Sequence, residues 1–430
     1  MSSCPEQEWT NAKVGDLFAI HGATIDPSAF PAEVFEYYSL PAWDLTGGPE
    51  LATGRSIESG KTLLVEPTIL VSKLNPRKPR VVLATGDSTH RRCASTEFIP
   101  FVAKERDTDL GYFRWYFGSP IFQRRLERVA IGSTNSHVRA TPGETLHWSV
   151  RVPPPHEQRR VTAILDTLDE AIRKTEGIIA KLRLIKQGLL HDLLSRGIDQ
   201  GGQLRPSPTD APHLYAESPL GTLPVGLAAL PLKDACALIK DGTHLPPRRV
   251  DDGPLLLSVR NMQDGSFGLT PEDTRVSWAF YRSMHRGWSI LEGDVLLAIV
   301  GATLGKSAIV PALPPFTLQR SVAVMRGRIG VVRSSHLKLC IDSTLFQTRL
   351  WQAANQTAQP GVYLEQLGLI RIPCPSFEEQ ERIEVVWQAA EARLASEVQQ
   401  VIKLRLLKRG LADDLLCGRV RVPAPEDAKV

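Results

Sequence analysis

The sequence predicts an α+β protein in which two similar α/β globular domains are joined by two long antiparallel helices that form a coiled coil, the halves related by a pseudo-two-fold. Three observations predict it. First, one helical segment occurs twice. Glu157-Gln158 with Arg160, Lys181-Leu182-Arg183-Leu184, Lys186, Gly188-Leu189 and Asp192-Leu193-Leu194 recur as Glu379-Gln380 with Arg382, Lys403-Leu404-Arg405-Leu406, Lys408, Gly410-Leu411 and Asp414-Leu415-Leu416, always 222 residues later and without a gap. A repeat this long and this distant means duplication of a whole unit, globular part plus helix. Second, both copies follow a proline stop, Pro153-Pro154-Pro155 and Pro373-Cys374-Pro375. Third, both carry a heptad seam, and two matching seams in one chain can bury each other.

Residues 1–152 read as the first globular domain. Short β-rich runs lie at Thr62–Val65, Thr68–Ser72 and Arg80–Ala84, broken by Asn75-Pro76 and Thr85-Gly86, and a single helix is expected around Gly111–Val129, where Phe113, Tyr116, Phe117, Phe122 and Leu126 share helical spacing. The first helical segment occupies residues 153–199, its helix running from His156 to Arg196. Its seam is Val161, Leu165, Leu168, Ile172, Thr175, Ile179, Leu182, Lys186, Leu189 and Leu193, and Gly197 closes it as a left-handed cap residue would. Residues 200–372 hold a Gly-, Pro- and Ser-rich surface linker (Gln200–Pro219) and the second globular domain, with strand signals at Leu255–Val259, Asp294–Val300, Ser307–Val310 and Ser321–Arg326. Within that domain Ser343–Leu350 echoes Ser119–Leu126 at an offset of 224. Residues 373–419 hold the second helical segment, its seam displaced by 222 from the first, and residues 420–430 are a tail. Forty helical residues span about 60 Å.

A hydrophobic share of 42% and a charged share of 23% over 430 residues are ordinary for a globular chain with sizeable cores. The first eleven residues are polar, the longest apolar runs are too short to span a bilayer, and the six cysteines are scattered, so a soluble cytoplasmic protein with reduced thiols is expected. The net charge of +4 is unevenly spread. Lys73–Arg92 holds Lys73, Arg77, Lys78, Arg80, Arg91 and Arg92 against Asp87 alone; Arg275–Arg333 holds eight basic residues against Glu292 and Asp294. Basic clusters in loop-rich regions of both halves suit neutralisation of phosphates.

Catalytic signatures are missing. Gly301-Ala302-Thr303-Leu304-Gly305-Lys306-Ser307 has only three residues between its glycines, where a phosphate-binding loop needs four and a following helix. A glycine turn between two strands, placing Thr303 and Lys306 at a surface, fits better. Asn75-Pro76-Arg77 lacks the aromatic of a base-methylating motif, and the ten histidines do not fall at metal-ligand spacings. The chain is expected to be no enzyme and to hold no metal.

The run Pro153–Asp166 through Leu189–Leu194 strongly resembles the central spacer helix of type I restriction–modification specificity subunits, and the second helical segment resembles their C-terminal spacer, more divergently, with Trp387 in place of Leu165. The globular halves are similar to that family's two target recognition domains. Ser72–Arg77 and Gly132–Val138 carry this for the first; Ile239–His244, Leu257–Asn261 and Gly293–Leu297 carry it for the second. The resemblance implies a subunit that reads a bipartite double-stranded DNA site, one half-site per domain, with an unread gap fixed by the helices. It implies recruitment of methylation subunits, two of them, that carry S-adenosylmethionine, and through them restriction subunits that use ATP, with no cofactor on this chain and no membrane. Base reading needs groove-facing polar side chains beside phosphate contacts. The candidates are Lys73, Arg77 and Asn135 in the first domain and Thr243, His244, Arg260, Asn261, Lys306, Arg320 and Gln359 in the second, Gln359 matching Asn135 at the 224 offset. A second reading, from a different class, is a non-enzymatic coiled-coil adaptor whose end domains bind proteins; salt-sensitive duplex binding separates the two.

Overall fold

A computed structural model describes residues 8–85, 88–131, 138–243, 247–263, 266–355 and 359–422. The two long helices run over Pro155–Ser195 and Phe377–Cys417, 41 residues each, their bounds displaced by the same 222 residues as the sequence repeat. The chain divides into two units, Met1–Gly177 with Gln399–Val430, and Ile178–Val398.

In the first unit an antiparallel sheet is built from β1 (Phe18–Ile20), β2 (Thr68–Ser72), β3 (Val81–Ala84) and β4 (Phe98–Ala103) in the order β1-β4-β2-β3. Every residue of β2 is buried, which is why that strand reads as a nearly unbroken apolar run. Two helices, α1 (Leu110–Gly118) and α2 (Pro120–Arg128), supply the aromatic residues of its core. The single helix expected over Gly111–Val129 is therefore two. Ser119 adopts extended backbone, its hydroxyl accepts the Phe122 amide at 3.5 Å, and Pro120 has no N–H to continue the first helix. Phe18 meets Phe113 edge-on at 4.9 Å, and Phe117 meets Phe122 at 4.6 Å. The same core takes Val161 and Leu165 from the start of the first long helix and Leu415 and Leu416 from the end of the second. The pairs Asp169–Lys408 and Glu176–Arg405 bind the helices there with opposite directions of travel. A second, five-stranded sheet includes Val34–Tyr38 parallel to Arg91–Ala94.

The second unit repeats the plan. Strands β5 (Cys236–Asp241), β8 (Val295–Ala298), β9 (Ser307–Ile309) and β11 (Val322–Gly327) form an antiparallel sheet in the order β5-β11-β8-β9, matching β1-β4-β2-β3. Helices α4 (Ser334–Asp342) and α5 (Thr344–Ala353) stand where α1 and α2 do, with Ser343 capping as Ser119 does. Their core takes Leu190, Leu193 and Leu194 from the end of the first long helix and Ile383 from the start of the second. Among the described residues the second sheet has three strands here: β7 (Thr274–Val276), β6 (Arg249–Leu257) and β10 (Phe316–Leu318), in that order, with β6 parallel to β10. A short helix, α3 (Trp278–Met284), follows β7.

All the seam positions named from the sequence are buried or half-buried, Lys186 and Lys408 included. Both lysines lie over an indole: Lys186 is 4.7 Å from the Trp387 ring and 2.6 Å from Glu391, while Lys408 is 4.5 Å from the Trp115 ring and paired with Asp169. Gly197 has φ +66°, the left-handed cap expected of it. The stretch Gln200–Pro219 is not a bare linker. It buries Ala211 and Tyr215 and begins a hairpin, Tyr215–Ser218 against Gly221–Pro224.

Each long helix starts from a two-stranded ribbon, Thr10–Lys13 with Ser149–Val152 in the first unit and Ala228–Pro231 with Arg371–Cys374 in the second. Each also begins with a buried glutamate. Glu157 accepts bonds from the Trp9 indole, the Arg421 guanidinium and the Val422 amide, all near 3.0 Å. Burial alone would raise the Glu157 carboxyl, but these donors outweigh it and hold it below its usual range. Glu379 is bound by Arg205 and the Ile198 amide.

Candidate nucleic-acid interface

The turns between the third and fourth strands in the order of each four-stranded sheet carry Lys73 and Arg77 in the first unit and Lys306 in the second. In the first unit the chain leaves β2, passes Lys73, and turns at Asn75, whose φ of +49° begins the reversal. The Asn75 amide donates to Val138 at 2.9 Å and the Ala140 amide to Lys73 at 3.0 Å, so the turn is stitched to the loop that follows α2. Arg77 is exposed on this turn and Lys73 half-buried beneath it. Asn135 lies outside the described residues. Arg77 shares a hollow of about 480 Å³ with Arg124, Arg128 and Glu127. Those two arginines were missed in the sequence, although their four-residue spacing, on the face of α2 opposite Phe122 and Leu126, signals an exposed basic edge.

In the second unit the equivalent turn runs from Ile299 to Lys306. It is the glycine turn the sequence suggests, with Gly301 and Gly305 at φ +84° and +93° and strand on both sides. The Gly301 amide donates to Pro360 at 2.8 Å, fixing the loop that carries Gln359 against it. Lys306 and Gln359 are exposed and Thr303 half-buried. Lys306 also lines a polar crevice of about 820 Å³ whose other wall includes Lys186, Trp387 and Glu391.

A separate group forms where β5 and β10 end. The Thr243 amide donates to Leu318 at 2.8 Å, and the Arg320 amide to Thr243 at 3.1 Å. Gly242 permits this approach, since a Cβ there would fall 2.0 Å from the Leu318 carbonyl oxygen. Arg320 is exposed and Thr243 buried; His244 lies outside the described residues.

Arg260 and Asn261 stand apart from both groups. Asn261 is 2% exposed, and its amide is committed: it donates to Asp273 and Gly268 and accepts from Ser258. Reaching a base from Asn261 would strip these internal bonds from a buried group. Arg260 is half-exposed, 3.3 Å from Asp273. Burial would raise the Asp273 carboxyl, yet hydrogen bonds from Asn261 and Thr270 and the charge of Arg260 bring it below its ordinary value.

The first basic cluster is also partly neutralised. Arg80 grips Asp44 through two 2.8 Å bonds, Lys78 joins them, and Arg91 pairs with Glu33. Hydrogen bonds from Arg80 and Lys78 hold the Asp44 carboxyl well below the carboxylate range. Lys73 and Arg77 are the members of that cluster nearest the turn. Among the described residues no three His, Cys, Asp or Glu side chains converge as a metal site, and no helix is long and apolar enough to cross a membrane.

Both units thus carry one sheet whose turn is stitched to a second loop and presents a basic side chain. Residues 6–184 match the family model described as the type I restriction modification DNA specificity domain. The chain is 20% identical over 282 residues to the type I restriction enzyme MjaVIII specificity subunit of Methanocaldococcus jannaschii, a match covering 64% of this chain and 62% of that subunit. A chain from a type I R–M system has the same fold, with a TM-score of 0.62, 18% identity, and coverage of 97% of this chain and 99% of that one. The HsdS subunit from Thermoanaerobacter tengcongensis follows at TM-score 0.53 and 18% identity, covering 98% and 100%. The sequence of residues 6–184 is thus similar to a type I restriction modification DNA specificity domain, and nearly the whole chain shares the fold of these two solved chains.

Proposed function

We propose that this protein is the DNA sequence-specificity subunit of a type I restriction–modification complex, reading a bipartite site with one half-site per globular unit. The observation that carries the reading is the match to a DNA specificity domain in the first unit, together with the recurrence in the second of the same sheet order, helix pair and stitched turn. Divergence is concentrated where two different half-sites would require it: five strands in one second sheet, three in the other. Methylation subunits supply S-adenosylmethionine and the chemistry, restriction subunits use ATP, and this chain supplies recognition without catalysis.

Partner docking is supported by a second duplicated feature. Leu184 and Ile185 are 70% and 62% exposed, and Leu406 and Leu407, their counterparts 222 residues on, are 65% and 52% exposed. Basic residues flank both pairs: Lys181, Arg183 and Lys186 in one copy, Lys403, Arg405 and Lys408 in the other. Two copies of one exposed apolar pair suit two copies of one partner.

The test is duplex binding by the complex with its methylation subunits, combined with methylome sequencing of a host carrying both. The expected result is affinity falling steeply between 50 and 200 mM salt and methylation confined to one bipartite sequence. Binding indifferent to salt, or methylation without a bipartite site, returns the chain to the adaptor reading.

A further inference from the structure

The second sheet of the second unit carries a surface that the candidate residues above do not include. β6 pairs with β7 at Arg249–Val276 and Val250–Arg275, and α3 then crosses the edge of this sheet, packing on β6 and β10. None of the seven residues of α3 is buried, and Trp278 is 45% exposed. The indole is nevertheless held in place. Trp278 meets Tyr281 edge-on at 5.9 Å, Tyr281 stacks on His285 at 4.5 Å, and His285 on Trp288 at 4.5 Å. An ordered tryptophan on a helix with no buried face offers a large rigid contact area at low entropic cost on binding.

Arginines surround it. Arg248, just before β6, and Arg249, its first residue, line a hollow of about 560 Å³ with Asp251, Ser277 and Phe280. Arg282 lies one turn beyond Trp278 on the same side of α3. All three are exposed, and their side chains make no hydrogen bond or ion pair among the described residues. The first unit treats its second sheet differently, where Arg91 is tied to Glu33. Arg248 and Arg249, adjacent in the chain and in one hollow, repel each other and gain when a polyanion covers them. Asp251 is the one carboxylate in the hollow. β10, on which α3 packs, leads directly into Gln319 and Arg320.

We infer that Arg248, Arg249 and Arg282 hold the phosphates of duplex DNA beside the second half-site, with Trp278 packed against the backbone sugars. The inference rests on the DNA-recognition reading and adds to it a grip that belongs to one half-site only. Phosphate contacts carry no sequence information, so the surface anchors the second domain without altering which bases it reads.

The experiment measures the complex with its methylation subunits, on a duplex carrying the methylated site, across a salt series. Each lost phosphate contact removes about 0.9 from the slope of log K against log salt. The triple variant Arg248→Ala, Arg249→Ala, Arg282→Ala should therefore lose about 2.7 from the slope while methylating the same sequence; the triple Lys variant should keep the slope, and Trp278→Ala should weaken binding with the slope unchanged. Parental slope and affinity in the triple Ala variant overturn the inference while leaving the recognition reading intact. Loss of methylation-subunit co-purification with unchanged DNA affinity overturns it too, and gives the surface to a protein partner. Salt-insensitive binding by the parent removes the recognition reading itself.

Discussion

His336 shows how much a single side chain decides. It is fully buried in α4, its Nε2–H donates to the Pro373 carbonyl at 2.9 Å, and burial pushes the imidazole down to about 4 from 6.5. A depressed folded-state value means the unfolded chain binds the extra proton first as pH falls. The stabilisation is thus complete above pH 6.5 and is lost as pH falls toward 4, by roughly 3 kcal/mol in all. Urea unfolding at pH 7 and pH 5 should show His336→Gln losing about 2 kcal/mol less than the parent over that interval; equal losses would mean the imidazole is already charged in the fold. At this scale the sequence was a mixed guide. The histidines fall at no metal-ligand spacing, and nothing local in the sequence marks His336 as a core residue. Asn261 looked like a loop amide free to read a base, and only the tertiary partners Asp273 and Gly268 reveal its committed hydrogen bonds. Trp278 was passed over because seven helical residues are too few to display a period, and exposure cannot be read from residue type.

The long helices were legible nearly to the residue, since a heptad seam is a local, repeated signal and proline stops mark its start. The break at Ser119 was not, because Phe113 through Leu126 keep helical spacing across it; Ser-Pro at the middle was the available cue. Within the helices, Leu165 in the first unit and Leu193 in the second are 0% exposed, and replacing either by Ala should cost about 2–5 kcal/mol in chemical unfolding. The seam lysines make the opposite case. Glu391 is half-exposed, and ion pairs of this kind contribute at most about 1 kcal/mol. Lys186→Met with Lys408→Met, which keeps an aliphatic stem over each indole, should leave the melting temperature unchanged or raise it. A drop of several degrees would show that the charges, not the stems, hold the pairing.

For the whole chain, duplication made the architecture readable, while the unequal second sheets were hidden because parallel pairing between distant strands leaves no local periodicity. If the paired helices set the unread gap, seven residues inserted at one point in each should lengthen them by about 10 Å and widen the methylated site's gap by roughly three base pairs, with both half-site sequences kept. Methylation by a folded variant at the original gap would break that link. The way the units are assembled from the chain has a further effect, on the order of synthesis. The second unit is one unbroken stretch, Ile178–Val398, whereas the first needs Leu415 and Leu416 against Val161 and Leu165, and Arg421 and Val422 on Glu157. On the ribosome the half that is made later can therefore finish first. The earlier half waits, its aromatic core open along one side, until the last helix emerges, reversing the N-terminal-first order usual for multidomain chains and making that interval the one in which the nascent protein most depends on chaperones.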